Sequence, residues 1–220
     1  MKKIKIRNDA RGFILPIKTI WKLPKNKTYK LLDVGSAECY LKNLLPENII
    51  YSSLDVNGEQ DYIHNLDKLP IPIPDNQFDI IVCLETLEHT MHPHKIMKEL
   101  LRISKTKALF FISMPNEYNF YCRFNYLIGK KTSVQEPFMV AEKHWHIHFP
   151  RVKDILDFCS NYLNIEETDY KWYSRASNHD KGFKKKISLG IDNVLNKFAS
   201  IYPPLFTRTV VIKGLRKNVK

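Results

Sequence analysis

From Tyr29 onward, short apolar runs alternate with polar and proline-rich stretches, a pattern that predicts strands interleaved with helices. Tyr29 to Val34 (YKLLDV) reads as a buried strand, and Gly35 allows a tight turn after it. Glu38 to Leu45 can continue as a helix. A second strand runs from Ile49 and closes on Asp55, and a short strand lies near 61–64. Pro70, Pro72 and Pro74 forbid regular structure across PIPIPDN. Phe78 to Leu84 (FDIIVCL) is nearly all apolar, as expected of a central strand covered on both faces. Between Pro93 and Ile103, the residues Ile96, Met97, Leu100, Leu101 and Ile103 form an apolar stripe at helical spacing. Ala108 to Ser113 (ALFFIS) is another central strand, stopped by Met114-Pro115-Asn116. The alternation predicts an α/β fold with an open, mostly parallel sheet.

Beyond Glu117 the pattern loosens. Residues 117–145 are rich in aromatics without clean periodicity, and 117–148 reads as a lid or substrate-selecting insertion over the carboxyl ends of the strands, where open sheets bind ligands. Arg151 to Leu163 is an amphipathic helix and Ile165 to Trp172 a strand. Lys184 to Phe198 is a helix with Ile187, Leu189, Ile191, Val194, Leu195 and Phe198 as its apolar set, and Thr207 to Lys213 is a closing strand. Residues 1–28 read as an irregular basic lead-in, apolar only in patches and interrupted by Pro16 and Lys18. The rest, 29–220, shows no repeat and no linker and reads as a single domain.

The 220 residues can bury one substantial core. The formal charge of +12 favours acidic partners such as nucleic acid, anionic lipid or a phosphorylated substrate, without choosing among them. Cys39, Cys83, Cys122 and Cys159 lack close pairing, which points to free thiols in a reducing, cytoplasmic compartment. No apolar span is long enough to cross a membrane, and no signal peptide is evident. The lysines Lys184, Lys185 and Lys186 precede an amphipathic helix, so peripheral contact with a membrane surface is one reading of that segment. A helix packed on the sheet with its basic end in water is the other.

The candidate chemistry begins at the first two strand ends. A glycine turn after one strand and a carboxylate closing the next are the layout of a nucleotide site at a sheet edge, where Asp55 can accept two hydrogen bonds from a ribose diol. The turn GSAEC carries Ala37 and Cys39 in place of further glycines, which argues against a diphosphate-binding dinucleotide site. Asp79, just inside a buried strand, reads as a fixer of local backbone hydrogen bonds. His144, His146 and His148 alternate in EKHWHIHF and share one face if the segment is extended. With neither a paired cysteine motif nor HExxH, no metal site is expected there.

Four segments in order, LLDVGSAECY (31–40), SLDV (53–56), LPIPIPDNQFDIIVCLETLEH (69–89) and KELLRISKTKALFFISMPN (98–116), resemble the class I S-adenosylmethionine-dependent methyltransferases, especially their small-molecule and glycan-related branch. The resemblance implies a Rossmann-like seven-stranded sheet with the last strand antiparallel, flanked by helices. It implies that Asp33 lies beneath the turn and helps hold the methionine end, and that Gly35, Ser36 and Ala37 pass close to the cofactor. Asp55 would accept the ribose hydroxyls and Val56 would pack on the adenine. Asn65 and Leu66 would stand beside the adenine amine, with Asn65 replacing a commoner carboxylate, and Leu84 and Glu85 would lie near the methionine moiety. Glu88 and His89 would line the acceptor side, and His146 or His148 would orient or deprotonate the acceptor. The acceptor would be a small molecule or glycan, phosphorylated or lipid-linked among the options, and the aromatics of 117–145 together with Arg123 would select it. A nucleic-acid methyltransferase is disfavoured because Cys83 to Glu88 reads CLETLE, where base-amine enzymes often carry Asp/Asn-Pro-Pro-Tyr/Phe. A noncatalytic, partner-binding use of the fold is the remaining alternative.

Overall fold

The computed structural model describes residues 12–130, 146–173 and 182–217. Its centre is a seven-stranded sheet in the order β3-β2-β1-β4-β5-β7-β6. The strands are β1 (Tyr29–Val34), β2 (Ile49–Asp55), β3 (Tyr62–Ile63), β4 (Phe78–Leu84), β5 (Ser104–Pro115), β6 (Leu163–Lys171) and β7 (Thr209–Arg216). β1 to β5 pair in parallel, whereas β7 lies antiparallel between β5 and β6. The last strand is thus the antiparallel one, as expected.

Side-chain alternation along the strands sorts the core into two layers. Leu32, Val34, Ile81, Cys83, Phe110, Ile112, Val210 and Ile212 point to one face, where helices α2 (Pro93–Ile103) and α4 (Val152–Ser160) cover them. Leu31, Ile80, Val82, Leu84, Phe111 and Val211 point to the other. The expected stripe of α2 is buried in full. On the first face, Ile71 and Ile73 of the proline stretch are buried core residues, so this irregular segment covers sheet that a helix could have covered. Its backbone is held from α2. Arg102 donates to the carbonyls of Ile71 and Ile73 and to Asp75, while Glu99 accepts the Ile71 N–H. Hydrogen bonds from Arg102 hold the Glu99 carboxyl below the usual carboxylate range.

Several elements differ from their sequence reading. The lead-in is not irregular throughout, because α1 (Ile14–Ile20) is a helix and its Leu15, Ile17 and Ile20 are buried on the second face. Pro16 is tolerated because it falls in the first turn, where the missing N–H has no intrahelical partner to lose. The helix expected over Glu38 to Leu45 is only a 3₁₀ turn, Tyr40–Leu44, since Ala37 and Cys39 both adopt left-handed backbone and delay any helical start. α4 ends at Ser160 because Leu163 enters the sheet. β5 extends back to Ser104, whose hydroxyl closes the end of α2 by donating to Leu101 O. Asp79 takes the role foreseen for it. It accepts from the Lys30 N–H at 3.0 Å and from Lys105 Nζ at 2.8 Å, joining the starts of β1, β4 and β5. The four cysteines are free thiols.

After β5 come α3 (Phe120–Leu127), α5 (Gly182–Ile201) and the short α6 (Pro203–Phe206). Asn119 caps α3 by accepting the Tyr121 and Cys122 N–H groups. Of the apolar set foreseen for α5, Ile187, Leu189, Ile191, Val194 and Phe198 stand exposed and Leu195 is half-buried, while Ala199, outside that set, is buried. The helix is tied to the end of β6 by Asn196, whose amide accepts from the Trp172 N–H and donates to its carbonyl, each at 2.8 Å. Among the described residues, no helix is long and apolar enough to cross a membrane.

Candidate functional site

Cavities of about 440, 470 and 490 Å³ open on the surface, so volume alone does not select a site. Position does. The 470 Å³ cavity lies at the carboxyl ends of β1, β2 and β4, where open parallel sheets hold ligands. The 440 Å³ cavity, lined by Asp75, Arg102 and Arg216, lies by the opposite strand ends.

One wall of the 470 Å³ cavity is the turn after β1. Gly35 sits at φ +70°, Ala37 at +49° and Cys39 at +53°, a run of alternate left-handed positions that suits glycine and here holds it only once. A Cβ on Gly35 would lie 2.6 Å from Thr86 Cγ2 and would strike its hydroxyl as well. Glycine is therefore required first by Thr86, which bonds the carbonyls of Val34 and Leu84 and locks β1 to β4 beneath the site. The turn is held open by Asp55. Its Oδ2 accepts the Ala37 N–H at 2.8 Å and its Oδ1 the Val56 N–H at 2.6 Å. A carboxylate offers about four lone-pair sites, so both oxygens keep capacity toward the cavity they line. Asp33 lies under the turn and accepts from Tyr51 at 2.8 Å. Burial, then the Asp33 charge, push the Tyr51 hydroxyl well above its ordinary pKa and keep it a donor.

Of the residues expected at the cofactor, Gly35, Asp55, Val56, Asn65, Leu66 and Glu85 line this cavity. Asp33, Ser36, Ala37 and Leu84 do not. Ser36 is buried and donates to Gln60 Oε1 at 2.7 Å, so its hydroxyl braces the turn from behind. The Asn65 side-chain oxygen accepts the Asp67 N–H at 2.9 Å and keeps a second lone pair for the foreseen acceptor role. The carboxylate of Asp67 lines the cavity beside it, with Oδ1 on the Met91 N–H, and offers a second acceptor there. Asn57, His64, Thr86, Thr90, Met91 and Ile147 also line it and were not foreseen. Asn57 and Asp67 stood within two residues of predicted positions. Ile147 stood between His146 and His148, and what carried no signal was that this distant segment reaches the cavity.

The opposite wall is the 3₁₀ turn Leu87–His89 after β4. Glu88 is fully buried, and its backbone carbonyl accepts the N–H groups of Ile147 and His148 at 2.8 and 3.1 Å. This brings His146 beside His89, with ring centroids 4.8 Å apart. The Nε2 atoms of His89 and His146 lie 3.8 and 4.0 Å from Glu88 Oε1. His146 Nδ1 meets Glu117 Oε1 at 2.7 Å. Glu117 is buried at the end of β5, and Cys122 Sγ donates to its other oxygen. Burial, reinforced by Glu117, pushes that thiol up to about 11 and keeps it protonated.

His146 and His148 do not converge on one partner. His148 Nε2 stands 2.8 Å from Thr90 O, so it must carry the proton and donate, and the ring borders the neighbouring 490 Å³ cavity. His144 lies outside the described residues, as do Phe138 and Trp145 of the aromatic segment. Arg123 turns onto the backbone carbonyl of Tyr118 at 2.6 Å, and Phe120 stacks on Trp172, so these two belong to local packing.

Among curated proteins none matches the sequence. Solved structures match its fold. A S-adenosylmethionine-dependent methyltransferase from Archaeoglobus fulgidus aligns with a TM-score of 0.59 at 14% identity, covering 96% of this chain and 94% of that one. One from Thermotoga maritima aligns with a TM-score of 0.57 at 14% identity, covering 94% and 90%. The [4+2]-cyclase SpnF aligns with a TM-score of 0.56 at 14% identity, covering 96% and 81%, so the same fold also carries another reaction. The sequence itself matches, over residues 19–199, the family described as methionine biosynthesis protein MetW. With that match, the chain belongs to the MetW family, and its fold is that of the class I S-adenosylmethionine-dependent methyltransferases.

Proposed function

We propose that this chain transfers a methyl group from S-adenosylmethionine to a small-molecule or glycan acceptor. The observation that carries the reading is one cavity with two chemically distinct walls, Asp55 and the left-handed turn on one side and the Glu88–His89 turn on the other. The cofactor, when bound, supplies a methyl carbon already made electrophilic by its sulfonium. Asp55 accepts the ribose hydroxyls with the lone pairs that Ala37 and Val56 leave over. Leu66 and Val56 give the base an apolar surface, and Asp67 joins Asn65 as an acceptor beside the adenine amine. Asp33 acts through the turn above it. Glu85, left-handed at φ +51° and held by Ser113, marks the methionine end.

The acceptor enters on the other wall. His89 borders the cavity and is the group best placed to take a proton from an acceptor hydroxyl, while an amine needs only to arrive deprotonated. His146, oriented by Glu117, supports the same wall, and His148 fastens the incoming segment to Thr90. Residues 117–148 form the substrate-selecting part of a single domain. Free thiols suit a cytoplasmic setting. The exposed apolar residues of α5, with Tyr121, Phe124 and Leu127 of α3 and the strongly basic charge, favour contact with an anionic membrane surface and hence a lipid-linked acceptor.

Native mass spectrometry for retained S-adenosylmethionine or S-adenosylhomocysteine, with calorimetric titration of the latter, tests the reading. One bound cofactor per chain is expected. A folded protein that binds neither overturns it. Binding without turnover across an acceptor screen would favour a partner-binding role. Co-sedimentation with anionic vesicles, absent with neutral ones, tests the membrane contact.

A further inference from the structure

We propose that Glu88, His89 and His146 form a binding site for a divalent transition-metal ion on the acceptor wall of the cavity. Each offers a ligand atom, and these atoms all lie within 4.8 Å of one another. The separations of Glu88 Oε1 from the two imidazole Nε2 atoms, 3.8 and 4.0 Å, exceed hydrogen-bond length. They come close to the spacing of two ligands on one ion, roughly 3–4 Å for metal–ligand bonds near 2.1 Å. Side-chain shifts of about an ångström or less would close the site on such an ion.

The surroundings are built for the same task. Glu117 holds His146 Nδ1 at 2.7 Å, so with an ionised Glu117 the Nδ1 atom carries the proton and the Nε2 lone pair is aimed at Glu88 and His89. A carboxylate behind the far nitrogen is the usual support of a metal-bound histidine. Glu88 is fully buried, and its carbonyl binds the N–H groups of Ile147 and His148, which fixes His146 against it. Two imidazoles and one carboxylate suit ions of the manganese, iron and zinc class and leave coordination positions open. His89 and Ile147 border the cavity, so those positions face the acceptor space.

The inference rests on the methyl-transfer reading of that cavity and sharpens its substrate class. An ion there would bind an acceptor oxygen and lower the pKa of its hydroxyl, favouring hydroxyl acceptors with a second neighbouring oxygen over amines. His89 would then serve as ligand rather than as base.

The test uses the whole chain, stripped with a chelator and titrated with Mn²⁺, free ion being followed by electron paramagnetic resonance. One saturable site per chain is expected, with binding abolished in His146→Ala and Glu88→Gln. Glu117→Gln should weaken it about 10–100-fold, the range for loss of a supporting carboxylate. Circular dichroism spectra and melting curves matching wild type certify each variant as folded, and His89→Ala replaces Glu88→Gln should the buried change fail. No saturable Mn²⁺ or Zn²⁺ binding by wild type overturns the site, as does binding that survives His146→Ala. Metal binding in a protein with no affinity for S-adenosylhomocysteine would sustain the site and overturn the methyl-transfer reading instead.

Discussion

On the Asp55 wall of the cavity, backbone does most of the shaping. Gly35, Ala37 and Cys39 turn left-handed within five residues, and a single carboxylate ties the turn to the end of β2. On the Glu88 wall, side chains do it, and they come from distant places: Glu88 and His89 after β4, Glu117 after β5 and His146 from 29 residues beyond Glu117. The first wall is made by strands that the sheet itself places side by side. The second exists only once the segment 146–148 has docked on Glu88. A fold that must bind one constant cofactor and accept varied substrates gains from this division, since the second wall can change without disturbing the first.

The sharpest way to break the first wall is at Gly35. Gly35→Val places a β-branched side chain at positive φ and drives it into Thr86. The strain of the left-handed backbone and the overpacking together should cost about 3–5 kcal/mol, read by chemical denaturation. The partner is identified by a cycle. The milder Gly35→Ala should cost less in a Thr86→Ala background, because the two colliding atoms beyond Cβ are gone. An equal cost in both backgrounds would show that Thr86 is not what reserves the space. If instead Gly35→Val folds with normal stability and loses only cofactor, the space belongs to the ligand.

Asp55→Ala comes next. It removes the carboxylate proposed to accept the ribose hydroxyls and should weaken S-adenosylhomocysteine binding by about 1.5–3 kcal/mol in calorimetry. It also releases two backbone N–H groups, so a fall in thermal stability without cofactor should accompany it. Unchanged affinity in the folded variant would reject the role of Asp55.

The same contrast explains what could be read from the chain beforehand. Strands β1, β4 and β5 and helix α2 were legible because each carries its own periodicity, and Asp55 because it closes the next strand, twenty residues after the glycine turn. The pairings of Ser36 and Asn65 were not legible. Each has a polar side chain engaged by a neighbour, Gln60 or the Asp67 N–H, and periodicity carries no information on such pairing. α1 was missed because Pro16 looks like a breaker until it is known to lie in the first turn. The second wall was half visible. Glu88, His89 and His146 were named from the resemblance, but Glu117 was taken only as the start of a loosened region, although its place just past the end of β5 could have marked it. His148 was grouped with His146 by alternation, yet the two rings meet different partners, Thr90 O and Glu117.

The second wall is tested at Glu117. As a positioning residue it should influence turnover without touching the cofactor. Glu117→Gln should lower kcat about tenfold, or about 1.4 kcal/mol, once an acceptor is known, while cofactor affinity stays unchanged. His146→Ala should lower kcat further, with the same unchanged affinity. A drop in cofactor affinity equal to the loss in turnover would show that the two walls are not independent, and normal turnover in both variants would leave His89 as the sole chemical group of the three.

The smallest effect probes whether Ala37 is a handicap or a choice. At φ +49° an alanine bears the left-handed penalty that glycine avoids, on the order of 1 kcal/mol. Glycine at that position loses more freedom on folding, which offsets roughly 0.4–1 kcal/mol. Ala37 is exposed and does not line the cavity, and its N–H bond to Asp55 survives the change. Ala37→Gly should therefore raise stability slightly, by about 0.5 kcal/mol or less in denaturant midpoints, and leave cofactor affinity unchanged. A clear loss of stability would mean that the turn depends on the stiffness alanine confers, and that the first wall is held by restricted backbone freedom as much as by Asp55. A gain in cofactor affinity would mean that the alanine methyl reaches the ligand after all, and that the boundary of the first wall lies closer to the turn than the cavity lining places it.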